Sequence, residues 1–267
     1  MFDWHPAATD LHDWVSGYWH VVDVGGLHAA EPIRTAPSVG TILTLHTGNS
    51  NRCADGTIIP ATSVLGPQRG VRTWYSQPGT GLVMAMLTPS GAACLFPALA
   101  GCVVDNPVDM AAFVGDRLST ELSQIVFQGR PPRDMVVQLD TWFRLRLAGR
   151  RGHDTDLFLA AYPRIIRNGA IAEAASHVGL SVRQLQRISA RLTGRSPKEL
   201  FDIERLRCSV AAIQIGEGDP LAGYADQSHQ IRAWRRRLDT TPGAYRRDGP
   251  STIRRSLANP RAGLHYL

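Results

Sequence analysis

Between residues 17 and 105 the apolar positions come in short runs, each closed off by residues that favour turns. "GYWHVVDV", "GTILTLHT", "TSVLGPQRGVRTWYS" and "GLVMAMLTP" are rich in β-branched and aromatic side chains and are separated by Gly, Pro, Asn and Asp, the pattern of a sandwich or barrel of short strands. The period then lengthens. In "NPVDMAAFVGDRLSTELSQIVFQG" apolar residues recur at helical spacing as far as Val126, with Asn106 as the expected N-cap and Pro107 at the first helical position. "PPRDMVVQLDTWFRLRLAG" reads as a second helix, with its proline pair as the break ahead of it. One domain of strands followed by two helices is therefore expected over residues 1–150.

The stretch "AGRRGHDTD" at 148–156 has no periodicity and reads as a linker. Beyond it the pattern is helical nearly throughout, in "DLFLAAYPRIIRNG", "AIAEAASHVGLSVRQLQRISARLTG", "SPKELFDIERLRCSVAAIQIGEG" and "DPLAGYADQSHQIRAWRRRLDTTPGAYRR". These segments predict an all-helical domain at 156–250, with 251–267 as a flexible tail. The fold class expected for the whole chain is α+β, a β-rich domain with following helices and then an all-α domain.

Charge is distributed unevenly between the two parts. Residues 1–150 hold 10 Arg against 12 acidic residues, whereas 151–267 hold 19 basic against 11 acidic. Lys198 is the single lysine. The positive charge is thus presented as guanidinium, which grips phosphate or guanine with two donors at once. A polyanionic partner for the C-terminal part follows, double-stranded DNA in the first instance.

Other chemistry changes the picture little. Apolar runs such as "GLVMAML" are far shorter than the roughly 18 residues a membrane helix needs, so no membrane partner is expected. "MFDWHPAATDLHDW" carries acids where an export signal has a basic segment and then an apolar run, and a cytoplasmic protein is expected. Cys53, Cys94, Cys102 and Cys208 lack CxxC or zinc-finger spacing and read as buried or half-buried thiols. Of the nine histidines, His20, His28 and His46 lie in or near strands, without the HxH pair and following Glu of a metal-binding barrel. No metal and no cofactor are expected. No GxSxG elbow, P-loop or GxGxxG follows a strand, so no residue is assigned a catalytic role.

Function is concentrated in residues 171–197. A short helix with Ile171, Ala174, Ala175 and Val178 on one side meets Gly179, and Ser181 can cap a second helix. Leu185, Ile188 and Leu192 mark that helix's inner face, which turns Val182, Arg183, Gln184, Gln186 and Arg187 outward. Arg and Gln on an exposed helix are the residues that read guanine and adenine edges in a major groove. A shift of 45 residues lays "SVRQLQRISARLTGRSP" over "DQSHQIRAWRRRLDTTP", with Arg191 on Arg236 and Ser196-Pro197 on Thr241-Pro242. The helical unit is repeated.

"IAEAASHVGLSVRQLQR", "TGRSPKEL" and "GYADQSHQIRAWRRRLDTTPGAYRR" together resemble the AraC/XylS family of bacterial transcription regulators over about residues 165–247. The resemblance implies a seven-helix DNA-binding domain with two helix-turn-helix units, bridged by the helix that starts at Ser196-Pro197. The DNA-contacting positions it implies are Ser181, Val182, Arg183, Gln184, Gln186 and Arg187 in the first unit, and Ser228, His229, Arg232, Arg235 and Arg236 in the second. For His229 a DNA contact and a structural hydrogen bond both stay open. "LHDWVSGYWHV" and "VLGPQRGV" resemble the β-rich sensor module of one branch of the family, which implies a small-molecule effector or a homodimer as further partners. The reactive-cysteine signature and cysteine-rich zinc site of the alkylation-repair proteins that share this DNA-binding domain are missing.

This sequence departs from the family pattern in three places. Ahead of Gly223 it has room for one helical turn at most, where the family has about two, so the scaffold helix of the second unit is expected to be short. Ser189 and Gln230 stand where the family has large apolar residues. Sequence reading is therefore expected to lean on the first unit, with the arginines of the second attracting phosphate. Two alternatives stay open: a regulator-derived protein with impaired DNA binding, and a small-molecule-binding β-barrel with a vestigial DNA-binding tail.

Overall fold

A computed structural model describes residues 2–97, 106–127, 131–150, 152–216, 221, 223–248 and 267. Nine strands form two antiparallel sheets among these residues. The larger contains β1 (Phe2–Pro6), β2 (Val15–Asp23), β8 (Thr80–Leu87), β4 (Thr41–His46), β6 (Thr62–Leu65) and β9 (Val108–Asp109), in that order. The smaller has the order β3 (Ile33–Thr35), β7 (Arg72–Tyr75), β5 (Arg52–Cys53).

The large sheet is the middle of three layers, which explains why β8 is buried along its whole length. Alternate residues of a strand point to opposite faces. Trp19, Val21, Ile42, Leu82, Met84 and Met86 pack with Ile33 and Trp74 of the small sheet. Their neighbours Tyr18, Leu43, Leu45, Val83, Ala85 and Leu87 pack against three helices, α1 (Pro89–Leu95), α3 (Asp116–Phe127) and α4 (Pro132–Leu147). The buried Tyr18 hydroxyl donates to Asp140 of α4 at 2.7 Å, and that carboxylate also accepts from the Ala8 N–H at 3.1 Å.

Several boundaries differ from those expected. No helix starts at Asn106-Pro107. Val108–Asp109 pair with Ser63 and Val64 as a strand, and the Asn106 side chain accepts from Arg72 instead of capping. A single turn, α2 (Ala111–Val114), follows, and Gly115 at φ +82° separates it from α3. The linker is shorter than 148–156, because His153–Asp156 form the first turn of α5 (His153–Asn168). Cys94 is buried and Cys53 half-buried, but Cys208 is exposed, while Cys102 lies outside the described residues. The tail was expected to be loose up to Leu267. That residue is only 8% exposed and its N–H donates to the Arg34 carbonyl at 2.8 Å, whereas 251–266 lie outside the described residues.

The remaining helices are α6 (Ile171–His177), α7 (Val182–Thr193), α8 (Pro197–Ile215), α9 (Gln227–Leu238) and α10 (Pro242–Asp248). With α5 these make six helices where the resemblance implied seven. The helix not found among the described residues is the one expected before Gly223, and residues 217–220 and 222 of that stretch lie outside them.

Candidate nucleic-acid interface

The 45-residue repeat is a repeat of structure. Both α7 and α9 span twelve residues, and their first residues, Val182 and Gln227, lie 45 apart. Each begins at a side-chain cap: the Ser181 hydroxyl accepts from the Gln184 N–H, and the Asp226 carboxylate from the His229 N–H at 2.7 Å. Each ends at a left-handed residue, Gly194 at φ +67° and Asp239 at φ +55°. Helices α8 and α10 then open on the matching prolines.

The pattern of burial follows the sequence. Leu185, Ile188, Ser189 and Thr193 of α7 are buried, and Val182, Arg183, Gln184, Gln186 and Arg187 are exposed along with Ser181. On α9, Gln230, Ala233, Trp234 and Leu238 are buried, and Ser228, Arg232, Arg235 and Arg236 are exposed. His229 is half-buried and packs edge-on against the Tyr224 ring at 5.3 Å. Gln184 has a task of its own, because its Oε1 accepts from both the Ser181 N–H and the Ser181 hydroxyl, closing a capping box.

Charge sorts the arginines into two groups. Arg191 pairs with Asp154, Arg205 with Asp202 and Arg207 with Glu204, and Arg195 donates to the Pro67 carbonyl at 2.9 Å. Among the described residues Arg183, Arg187, Arg232, Arg235 and Arg236 have no carboxylate partner. Five guanidinium groups on the outer faces of two recognition helices are thus left un-neutralised, as binding to a phosphate backbone requires.

The two departures from apolar pattern are accommodated by hydrogen bonds. Ser189 is buried and donates to the Arg195 carbonyl at 2.8 Å. Gln230 Nε2 and Trp234 Nε1 both donate to Ser209 Oγ of α8, at 2.9 and 3.1 Å, so one hydroxyl anchors α9 through two side chains. Arg205 was not singled out in the sequence. Its guanidinium lies between the Phe201 and Tyr224 rings, 5.0 and 4.4 Å from their centroids, and donates to the Gly223 carbonyl at 2.6 Å. It holds the turn that leads into α9. Gly223 at φ +79° leaves room for it, since a Cβ there would lie 2.8 Å from Arg205 Cδ.

A family model described as a helix-turn-helix domain matches residues 174–248. This segment is a helix-turn-helix domain of the AraC type. Among solved structures, ToxT from Vibrio cholerae is similar to the chain at 11% identity and a TM-score of 0.41, over 85% of this chain and 96% of that one. ToxT with a bound unsaturated fatty acid gives 9% identity and a TM-score of 0.40, over 85% and 92%. Comparison with curated protein sequences found no match. Within the AraC-type domain, all six positions expected to contact DNA in the first unit lie on one exposed surface. The second unit brings four together, with His229 turned onto Tyr224.

The N-terminal domain holds a cavity of about 40 Å³ between its two sheets. Its walls are mainly apolar, with Trp74 and Met84 among them, and its polar groups include Asp23, His28, His46 and Ser76. No lysine or arginine lines it. Burial acts to raise the Asp23 pKa, but the N–H groups of His28 and Leu27 and the Ser76 hydroxyl donate to this carboxylate and hold it below its ordinary value. Burial lowers the pKa of His46. Among the described residues no cluster of His, Cys, Asp and Glu could hold a metal ion, and no helix is long and apolar enough to cross a membrane.

Proposed function

We propose that this chain is a sequence-specific DNA-binding transcription regulator working in the cytoplasm, and that its N-terminal domain senses a small molecule or mediates pairing. The observation that carries the reading is the repeated recognition helix, whose outer faces hold five arginines without carboxylate partners. Attraction between these arginines and phosphate brings the protein to DNA. Arg183 and Arg187, one helical turn apart, are suited to guanine O6 and N7, and Gln186 to adenine. Gln184 serves chiefly as the cap of α7. Ser181, Val182 and Ser228 fit the groove walls, Arg232, Arg235 and Arg236 engage phosphate, and His229 braces the start of α9 against Tyr224. The cavity between the sheets supports a sensing role for the N-terminal domain, with a small and largely apolar ligand that carries no negative charge, given Asp23 and the lack of a lining cation.

The test is selection of bound sequences from a pool of random duplex DNA, repeated with Arg183→Ala/Arg187→Ala. The protein should enrich one motif, and the variant should lose preference at the bases that α7 reads. Enrichment of no motif by the native protein would refute the reading.

A further inference from the structure

We infer that the N-terminal domain supplies part of the support of α9, so that residues 34–71 position the second recognition helix. This inference rests on the DNA-binding reading above. Ahead of Gly223 the sequence leaves room for one helical turn at most, and a cleft of about 560 Å³ lies beside α9, bordered by Gln227, Ile231 and Arg235. Helical order in proteins comes mostly from packing, so each surface that meets α9 contributes to its placement.

The N-terminal domain grips the other end of α9. The Val71 N–H donates to the Arg237 carbonyl at 3.1 Å, and Arg237 Nη1 donates back to the Arg69 carbonyl at 3.0 Å. Arg34 reaches the Leu238 carbonyl at 3.5 Å. The last carbonyls of a helix have no partner within it and carry partial negative charge. Here a backbone N–H and a guanidinium from the N-terminal domain meet two of them. Ala36 and Val71 also share an apolar cluster with Leu206, Val210, Trp234 and Leu238.

The grip leaves the reading face open, since Ser228, Arg232, Arg235 and Arg236 remain exposed. The same short segment also holds the first unit. The Pro67 carbonyl accepts from Arg195, Arg69 pairs with Glu199 of α8 at 3.6 Å, and Val39 packs with Ile188 of α7 and Leu200 of α8. One stretch of the N-terminal domain therefore touches both units and fixes the placement of one recognition helix relative to the other.

The test uses the full chain in three forms: native, Val71→Asp, and Val71→Asp with two helical turns inserted before Gly223. Hydroxyl-radical footprinting on the selected site reads which grooves are protected, and hydrogen exchange without DNA reads the order of α9. The native protein should protect two successive major grooves. Val71→Asp should keep the groove under α7, lose the one under α9, bind at least tenfold more weakly and exchange its α9 amides at least tenfold faster. The insertion should restore the second groove. The double variant Arg34→Ala/Arg237→Ala, which removes the two guanidinium bonds between the N-terminal domain and the end of α9 and leaves the apolar cluster intact, should give a weaker form of the same loss. Unchanged α9 exchange in Val71→Asp, or tighter DNA binding by it, would overturn the inference, the second by making the contact a restraint. Faster α9 exchange in Val71→Asp with no footprint from the native protein would overturn the DNA-binding reading and leave the support of α9 standing.

Discussion

Replacing Ser209 with alanine removes one oxygen and takes the acceptor from two buried donors. Ser209 is 1% exposed, Gln230 5% and Trp234 fully buried. A buried donor that loses its partner costs about 1–3 kcal/mol. Gln230 keeps another contact, which places its loss at the low end. The two together should cost about 2–4 kcal/mol. Native-state hydrogen exchange of the α9 amides measures this locally, without unfolding the N-terminal domain. The account also fixes the rescue. Adding Gln230→Leu removes one of the two stranded donors and replaces it with apolar surface, so about 1–2 kcal/mol should return. A loss under about 0.5 kcal/mol for Ser209→Ala would refute the anchoring role of the hydroxyl. A full loss without recovery in the double variant would show that Gln230 is not part of it.

Three other perturbations have definite outcomes. Arg183→Ala/Arg187→Ala should lower affinity for the selected site and reduce the slope of log affinity against log salt by about 2 if both side chains reach phosphate or displace counterions beside it, as anisotropy titration will show. Gly223→Ala forces a side chain into the left-handed region and against Arg205, and should destabilise the second unit by about 1–2 kcal/mol, visible as faster exchange at the start of α9. Burial lowers the pKa of both His20 and His46 in the fold, so protons bind the unfolded chain first as pH falls. Stability of the N-terminal domain should be full above about pH 6.5 and fall below it, and His46→Gln should flatten that dependence in thermal melts.

How much was legible depended on how local the determining interactions are. Caps, turn glycines and the periodicity of α7 and α9 are written into neighbouring residues, so the repeat and its exposed faces could be read directly. The strands β2, β4, β6, β7 and β8 were legible for the same reason. Strand β1 was not, because Phe2–Pro6 is held by pairing with Gly17–Val21 and has no clear alternation of its own. Helix α1 was hidden because "PSGAACL" is apolar on nearly every side, which fits a helix wedged between the large sheet and α4. The helix expected from Asn106 failed because β6 takes Val108–Asp109 as a partner, a contact across some 45 residues. Ser209 and Arg205 act on residues from 18 to 25 positions away, and only packing brings them together. Their signal in the sequence was indirect: a buried polar residue at Gln230 calls for a partner, and a shortened scaffold calls for something to hold the turn.

The central claim is that the two exposed arginine faces bind DNA and that α7 selects the sequence. Fluorescence anisotropy of the full chain on its own upstream DNA and on a scrambled duplex, across a salt series, tests it most directly. The account predicts steeply salt-dependent binding to both and clear preference for the upstream DNA. Equal affinity for the two duplexes at every salt concentration would contradict it.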